Sequence, residues 1–200
     1  MSAGDRRHDY GVARGEFPAK TPVQTPEYFN IAQACLISHA RDWPDAIAIM
    51  DFSSTARIWT YGEMALAAKK LAGLWHGNGV QKGDRIAILL PQCAETMIAH
   101  FAAHLIGAIS LPLFVLFGSV ALQFRLAVSG AKIVVTDSKQ YIKICEIRSE
   151  LPELQQVFLQ DGGADGALDL WDSIEKSLPL EKFLPTLAED PAMMIYTSGT

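Results

Sequence analysis

The stretch Arg85-Ile86-Ala87-Ile88-Leu89-Leu90 decides the fold: it is apolar after its first residue, without polar alternation, and Pro91 closes it. A short unbroken apolar run between turn signals reads as a strand buried on both faces, the habit of parallel sheets. Residues 94–106 then repeat apolar side chains at helical spacing up to Gly107, and 108–113 form a second apolar run. Strand, helix, strand predicts a crossover unit with parallel strands.

The pattern extends in both directions. Upstream, Lys82-Gly83-Asp84 turns the chain into the strand, and a helix is expected to start at a capping box of Thr60 with Glu63. Its inward face is Met64, Ala68, Leu71 and Trp75, and Gly77 or Gly79 ends it. Residues 46–50 and 57–60 read as a strand pair joined through Asp51-Phe52-Ser53-Ser54. Residues 29–40 read as a helix with Asn30 as N-cap and Ile31, Ala34, Cys35 and Ser38 on one face. Downstream, helices over 119–128 and 138–150 alternate with strands over 132–136 and 156–159. Residues 161–166 form a surface loop, and Trp171 anchors a short helix. The fold class is therefore α/β, a mainly parallel sheet flanked by helices, with no internal repeat and no second domain.

Composition narrows the classes of function. Half the residues are hydrophobic and the net charge is −5 without a basic run, so neither nucleic acid nor an anionic membrane surface is expected as partner. Residues 1–25 carry Arg6, Arg7, Arg14 and Lys20 without an apolar core, and read as a mobile tail instead of a signal peptide. The apolar stretch 86–117 is interrupted by Pro91, Glu95, His100, His104 and Pro112, leaving no piece long enough to span a bilayer as helix. Cys35, Cys93 and Cys145 are separated singletons in apolar segments, which predicts reduced, packed thiols and a cytoplasmic setting. Gly77-Asn78-Gly79 with Gly83 lacks dinucleotide-site spacing and leads into a strand. His100 and His104 sit one helical turn apart, but Phe101 stands where a zinc-protease motif needs glutamate, so they read as a helix-face pair and no metal site is expected. Phe114, Phe117 and Phe124 read as core or subunit contact.

At the other end, Ala192-Met193-Met194-Ile195 is an apolar run introduced by Asp190-Pro191, and Tyr196-Thr197-Ser198-Gly199-Thr200 follows. This reads as a buried strand running into a small hydroxyl-rich turn at the carboxyl end of the sheet, where open α/β sheets hold their ligands. Gly199 lets the backbone approach an anion, while flanking amides and the Thr197, Ser198 and Thr200 hydroxyls are phosphate donors.

That turn resembles the opening of the phosphate loop Y-T-S-G-T-T-G-x-P-K-G of the adenylate-forming acyl-CoA synthetases. Further segments resemble the same family in the same order. Trp59-Thr60-Tyr61-Gly62-Glu63-Met64 is similar to its T-Y-x-E-L helix start, and residues 79–91 to G-V-x-K-G-D-R-V-A-I-x-L-P. Gly107-Ala108-Ile109-Ser110-Leu111-Pro112-Leu113 is similar to G-A-V-x-x-P-L, and residues 129–137 continue the match.

The resemblance implies the N-terminal part of a large adenylation domain over 26–200, cut within the phosphate loop. It also implies two-step ligation in the parent: a carboxylic acid attacks Mg2+-bound ATP to give an acyl-adenylate, and coenzyme A displaces AMP to give a thioester. Thr197, Ser198, Gly199 and Thr200 would hold the ATP phosphates, and Phe117 and Gly118 would border the coenzyme A channel. No catalytic residue is expected within these residues, so the chain alone is expected to be inactive and to self-associate through uncovered apolar surface. Acetate, a medium-chain fatty acid or an aryl acid all fit, with a lean to short or medium chains. An amino-acid-activating or luciferase-like parent, or a non-catalytic binding module, are the other readings.

Overall fold

The computed structural model describes residues 26–52 and 56–197. The expected tail at 1–25 lies outside them, as do Ser198, Gly199 and Thr200. A π-helical turn at Gln33–Ile37 runs into α1 (Ser38–Asp42), and a hairpin of β1 (Ile47–Asp51) and β2 (Arg57–Thr60) leads into α2 (Tyr61–Gly77). There follow β3 (Arg85–Leu89), α3 (Ala94–Leu105), β4 (Ile109–Pro112), α4 (Ser119–Ser129), β5 (Ala131–Thr136) and α5 (Ser138–Ile147). The series ends with β6 (Gln156–Leu159), a two-residue strand β7 (Leu168–Asp169) and α6 (Leu170–Lys176).

The main sheet has the order β4-β3-β5-β6-β7, every pair parallel, and the β1–β2 hairpin is antiparallel. Alternate residues of each strand feed opposite layers. Ile86, Ile88, Ile133, Val135 and Phe158 pack with α2, α3 and α6, while Ala87, Leu89, Val134, Val157 and Leu159 pack with α4 and α5. The expected parallel α/β sheet is thus observed, and the unbroken apolar strands are explained by having two covered faces.

Local signals act where expected. Thr60 accepts from the Glu63 amide at 3.2 Å while Glu63 accepts from the Thr60 amide at 2.9 Å, and Met64, Ala68, Leu71 and Trp75 are buried. Gly130 ends α4 in the left-handed conformation with φ 60°, which spares a Cβ penalty.

Three expectations need correction. Asn30 does cap the first helical segment, accepting from the Gln33 amide at 3.2 Å, but the buried residues are Ala32 and Leu36. They stand one helical turn apart, and the segment also contains a π turn in which the Ser38 amide reaches back to the Gln33 carbonyl. Of the three cysteines only Cys93 is buried; Cys35 and Cys145 are exposed on helix faces turned from the core. The segment 192–196 is not a buried strand. It lies beside β4 through one parallel bridge, Met193 with Ser110, and leaves Met193 and Ile195 exposed.

Candidate functional site at the carboxyl end of the sheet

The parallel bridge fixes which way the last described residues point. The Ser110 amide donates to the Ala192 carbonyl at 3.0 Å and the Met194 amide to the Ser110 carbonyl at 2.9 Å, so the segment rises alongside β4 toward the carboxyl ends of the strands. His104 holds the same point: its Nε2–H donates to the Ala192 carbonyl at 3.1 Å and lies 3.2 Å from Ser110 Oγ. Below, Lys82 pairs with Asp190 at 2.5 Å, and the Asp190 carboxylate accepts from the Leu187 amide at 2.6 Å. Above, the Tyr196 hydroxyl donates to the Arg125 carbonyl at 3.3 Å, and its ring meets Phe124 edge-on. Thr197 is delivered to the rim as an exposed residue.

Next to it stands the turn 114–117, closed by the Phe117 amide on the Phe114 carbonyl at 2.9 Å. Sequence reasoning missed what braces it. Lys143 on α5 donates to the carbonyls of Val115 and Phe117 at 3.0 and 2.9 Å and to Gln140 Oε1 at 2.7 Å. The Arg125 guanidinium lies 4.1 Å from the centre of the Phe117 ring. Gly118 caps α4 with open space where a Cβ would stand, so the backbone there is approachable. Phe114 and Phe124 are exposed and only Phe117 is partly covered, so the aromatic run is not core.

The start of α3 completes the rim. Cys93 in its N-cap position offers no side-chain cap, and the Asp51 carboxylate from β1 accepts from the Ala94 amide at 2.8 Å instead. Negative charge at a helix N-terminus is favourable, so the hairpin is tied to the sheet at a point where α3 needs a partner. Thr96 Oγ donates back to the Pro91 carbonyl at 2.6 Å. Burial raises the pKa of the Cys93 thiol, which keeps it protonated.

Between α3, the strand ends and the turn lies a cavity of about 560 Å³, walled by Ile88, Met97, Leu113, Phe117, Ile195 and Tyr196 among others. His100 and Thr96 are its buried polar residues, each 9% exposed, and His100 Nδ1, itself enclosed, has no hydrogen-bond partner among the described residues. Burial first, and His104 second, lower its pKa to about 4, so it is neutral near pH 7. His104 is likewise lowered by burial. The two rings of this helix-face pair, 6.3 Å apart, are both buried: one anchors Ala192 and the other borders the cavity. The visible signal was two imidazoles inside a helix whose remaining residues are almost all apolar.

Of the residues expected at the site, Phe117 lines one cavity with Tyr196, and Gly118 and Thr197 are the next residues along the chain from these two. Ser198, Gly199 and Thr200 follow outside the described residues. Among the described residues no helix is long and apolar enough to cross a membrane.

Comparison with known proteins fits this geometry. The sequence profile of the family described as AMP-binding enzyme matches residues 36–200. Acetyl-coenzyme A synthetase 1 of Candida albicans is 33% identical over 177 residues, covering 78% of this chain and 26% of the relative. 4-Coumarate--CoA ligase 2 of Oryza sativa subsp. japonica is 26% identical over 200 residues, covering 92% of this chain and 34% of the relative. A Brucella canis acyl-CoA synthetase structure superposes with a TM-score of 0.75 at 24% identity, covering 86% of this chain and 32% of that one. The anthranilate CoA ligase AuaEII, solved with anthranoyl-AMP, gives 0.79 at 22% identity, covering 87% and 32%. The chain thus spans about a third of the length of the proteins it matches.

Proposed function

The chain belongs to the AMP-binding enzyme family, and from that premise we propose that the whole protein activates a carboxylic acid of short to medium length as its coenzyme A thioester. A carboxylate oxygen attacks the α-phosphorus of ATP, the bond to the β-phosphate oxygen breaks, and pyrophosphate leaves. The thiol of coenzyme A then forms the thioester as AMP departs. The acyl-CoA synthetases and ligases to which the chain is similar support the choice of acid, ATP and coenzyme A as substrates.

The observation that carries the reading is the parallel seating of 191–197 against β4, which aims Thr197 at the carboxyl end of the sheet. Thr197, Ser198, Gly199 and Thr200 hold the β- and γ-phosphates, with Mg2+ accompanying the ATP. Hydroxyls and amides there act where charge gathers on the leaving pyrophosphate. Phe117 and Gly118, with Lys143 behind them, border the path of coenzyme A. The exposed free thiols of Cys35 and Cys145 suit a reducing cytoplasm. The 200-residue chain alone folds without catalysing adenylation, since it spans about a third of its relatives.

Replacing Thr200 with Ala in the whole protein tests the assignment. Removing one donor to a transition-state anion costs about 2.7 to 4 kcal/mol, so acid-dependent exchange of pyrophosphate into ATP slows about 10² to 10³-fold. Thioester formation from supplied acyl-adenylate is spared. Equal loss in both half-reactions would instead mark a folding defect and overturn the phosphate role.

A further inference from the structure

We propose that Lys143 is a positioning residue for the transfer to coenzyme A: it holds the turn 114–118 in the shape that receives the cofactor, by fixing the peptide between Phe117 and Gly118. The inference rests on the reading that Phe117 and Gly118 border the coenzyme A path.

The turn has little else to hold it. It joins β4 to α4 and is closed on itself by one backbone bond, from the Phe117 amide to the Phe114 carbonyl. Phe114 and Leu116 are 60% and 78% exposed, so burial does little for these two side chains. Val115 and Phe117 pack against the layer of α4 and α5. Arg125 lies over the Phe117 ring, but its hydrogen bond goes to the Ala121 carbonyl. A segment with few buried contacts opens at low cost unless something else restrains it.

Lys143 supplies the restraint. Its three donors are all spent, on the carbonyls of Val115 and Phe117 at 3.0 and 2.9 Å and on Gln140 Oε1 at 2.7 Å. Gln140 is buried on the preceding turn of α5, so its amide oxygen aims the ammonium. A charged donor makes each of these bonds stronger than a neutral one would. With no proton to spare, Lys143 acts on a ligand only through the turn.

The carbonyl of Phe117 belongs to the peptide that carries the Gly118 N–H. That peptide is planar and trans, so its carbonyl and its N–H point in opposite directions. Fixing the carbonyl on Lys143 therefore aims the Gly118 N–H away from the ammonium. Gly118 is exposed, and its N–H has no partner among the described residues, which leaves it as a directed donor for an incoming ligand.

The test compares the two half-reactions in the whole protein, with acetate and octanoate as acids. The quantity read is the ratio of kcat/KM for coenzyme A to the rate of pyrophosphate exchange, from which any loss of folded enzyme cancels. Lys143→Met is expected to lower this ratio about tenfold, the worth of one such hydrogen bond. Gln140→Leu, which frees the ammonium without removing it, should lower it about threefold. Gly118→Pro deletes the N–H at a φ of −78°, which proline adopts, and should lower the ratio as well. Adding Lys143→Met to Gly118→Pro should then lower it no further, since both act on the same N–H. An unmoved ratio in Lys143→Met or Gln140→Leu, or full additivity of Lys143→Met with Gly118→Pro, overturns the inference. If Gly118→Pro itself leaves the ratio where it was, coenzyme A does not pass Gly118, and the path reading falls together with the inference.

Discussion

The most direct test of the burial at α3 is acid. The His100 imidazole is held to a pKa of about 4 in the folded chain, against an ordinary value of 6.5. Above pH 6.5 both folded and unfolded chains carry it neutral, and stability is complete. As pH falls from 6.5 to about 4 the unfolded chain takes up the proton and the folded chain does not, so stability drops with pH. At about 1.4 kcal/mol per pH unit the loss reaches roughly 2.5 kcal/mol between pH 7.5 and 4.5, and ends below the folded value. His104, lowered by the same burial, adds in the same direction. Partly covered carboxylates such as Asp190, lowered by Lys82, contribute mainly at still lower pH. The comparison is therefore urea unfolding of the 200-residue chain against His100→Phe across this range. The urea midpoint of the parent chain should fall by about 1 M more than that of the variant, given a slope near 2 kcal/mol/M. Parallel pH curves, differing by less than about 0.5 kcal/mol in their change, would mean that His100 titrates normally, and the argument for a dry, neutral imidazole would fail.

Three further outcomes follow from packing. Gly73→Ala should destabilise, although alanine is worth about 1 kcal/mol more than glycine within a helix: its Cβ would stand 2.3 Å from the Leu178 carbonyl oxygen, where backbone crosses α2. A raised melting temperature would refute this. Asp51→Ala should cost about 1 kcal/mol by uncapping α3, read as a lower thermal midpoint, and Asp51→Asn should recover most of it; equal losses would show that the carboxylate acts elsewhere. Val120 and Val128 are 79% and 64% exposed on one face of α4, flanked by Leu116, so the chain should bind a hydrophobic dye and self-associate, and Val120→Lys with Val128→Lys should reduce both; a dye-free monomer at the outset would contradict it.

Much of the architecture could be read from local pattern because it is locally determined. The strands β3 and β5 are apolar on both faces, and that pattern has few other solutions once capped helices lie between them. The Thr60 to Glu63 capping box and the Gly130 stop needed no knowledge of the rest of the chain. What escaped was set over distance. Asp51 caps a helix 43 positions away, and Lys143 braces a turn more than 25 positions earlier, relations that no window of sequence contains. The π turn at Gln33–Ile37 escaped for the opposite reason: one extra residue in a turn leaves no mark on composition. The run at 192–196 reads as a buried strand in sequence because apolarity alone does not distinguish a covered strand from an extended segment at a sheet edge.

The motifs that pointed to the family also turn out to hold one another, which explains why five weak matches in order carried more than any one of them. Asp84, in the segment 79–91, accepts from Lys132 of the segment 129–137 at 2.8 Å. Arg85 of the first segment donates through Nε to the Ser129 carbonyl and through its terminal nitrogens to the carbonyls of Gly83 and Gly130. Lys82 fixes Asp190 just before the final apolar run, and Ser110, from the segment 107–113, pairs with that run through its backbone. Thr197 is thus positioned by four separate parts of the chain, Lys82, His104, Ser110 and Arg125, and hardly by its own neighbours. A hydroxyl-rich turn after an apolar run is common; what sets this one apart is that the segment leading to it is seated by these contacts as far as Thr197, the last described residue. The phosphate role proposed for Thr197 and the three residues after it gains from this, because an anion site whose supporting segment is fixed beforehand loses less freedom on binding.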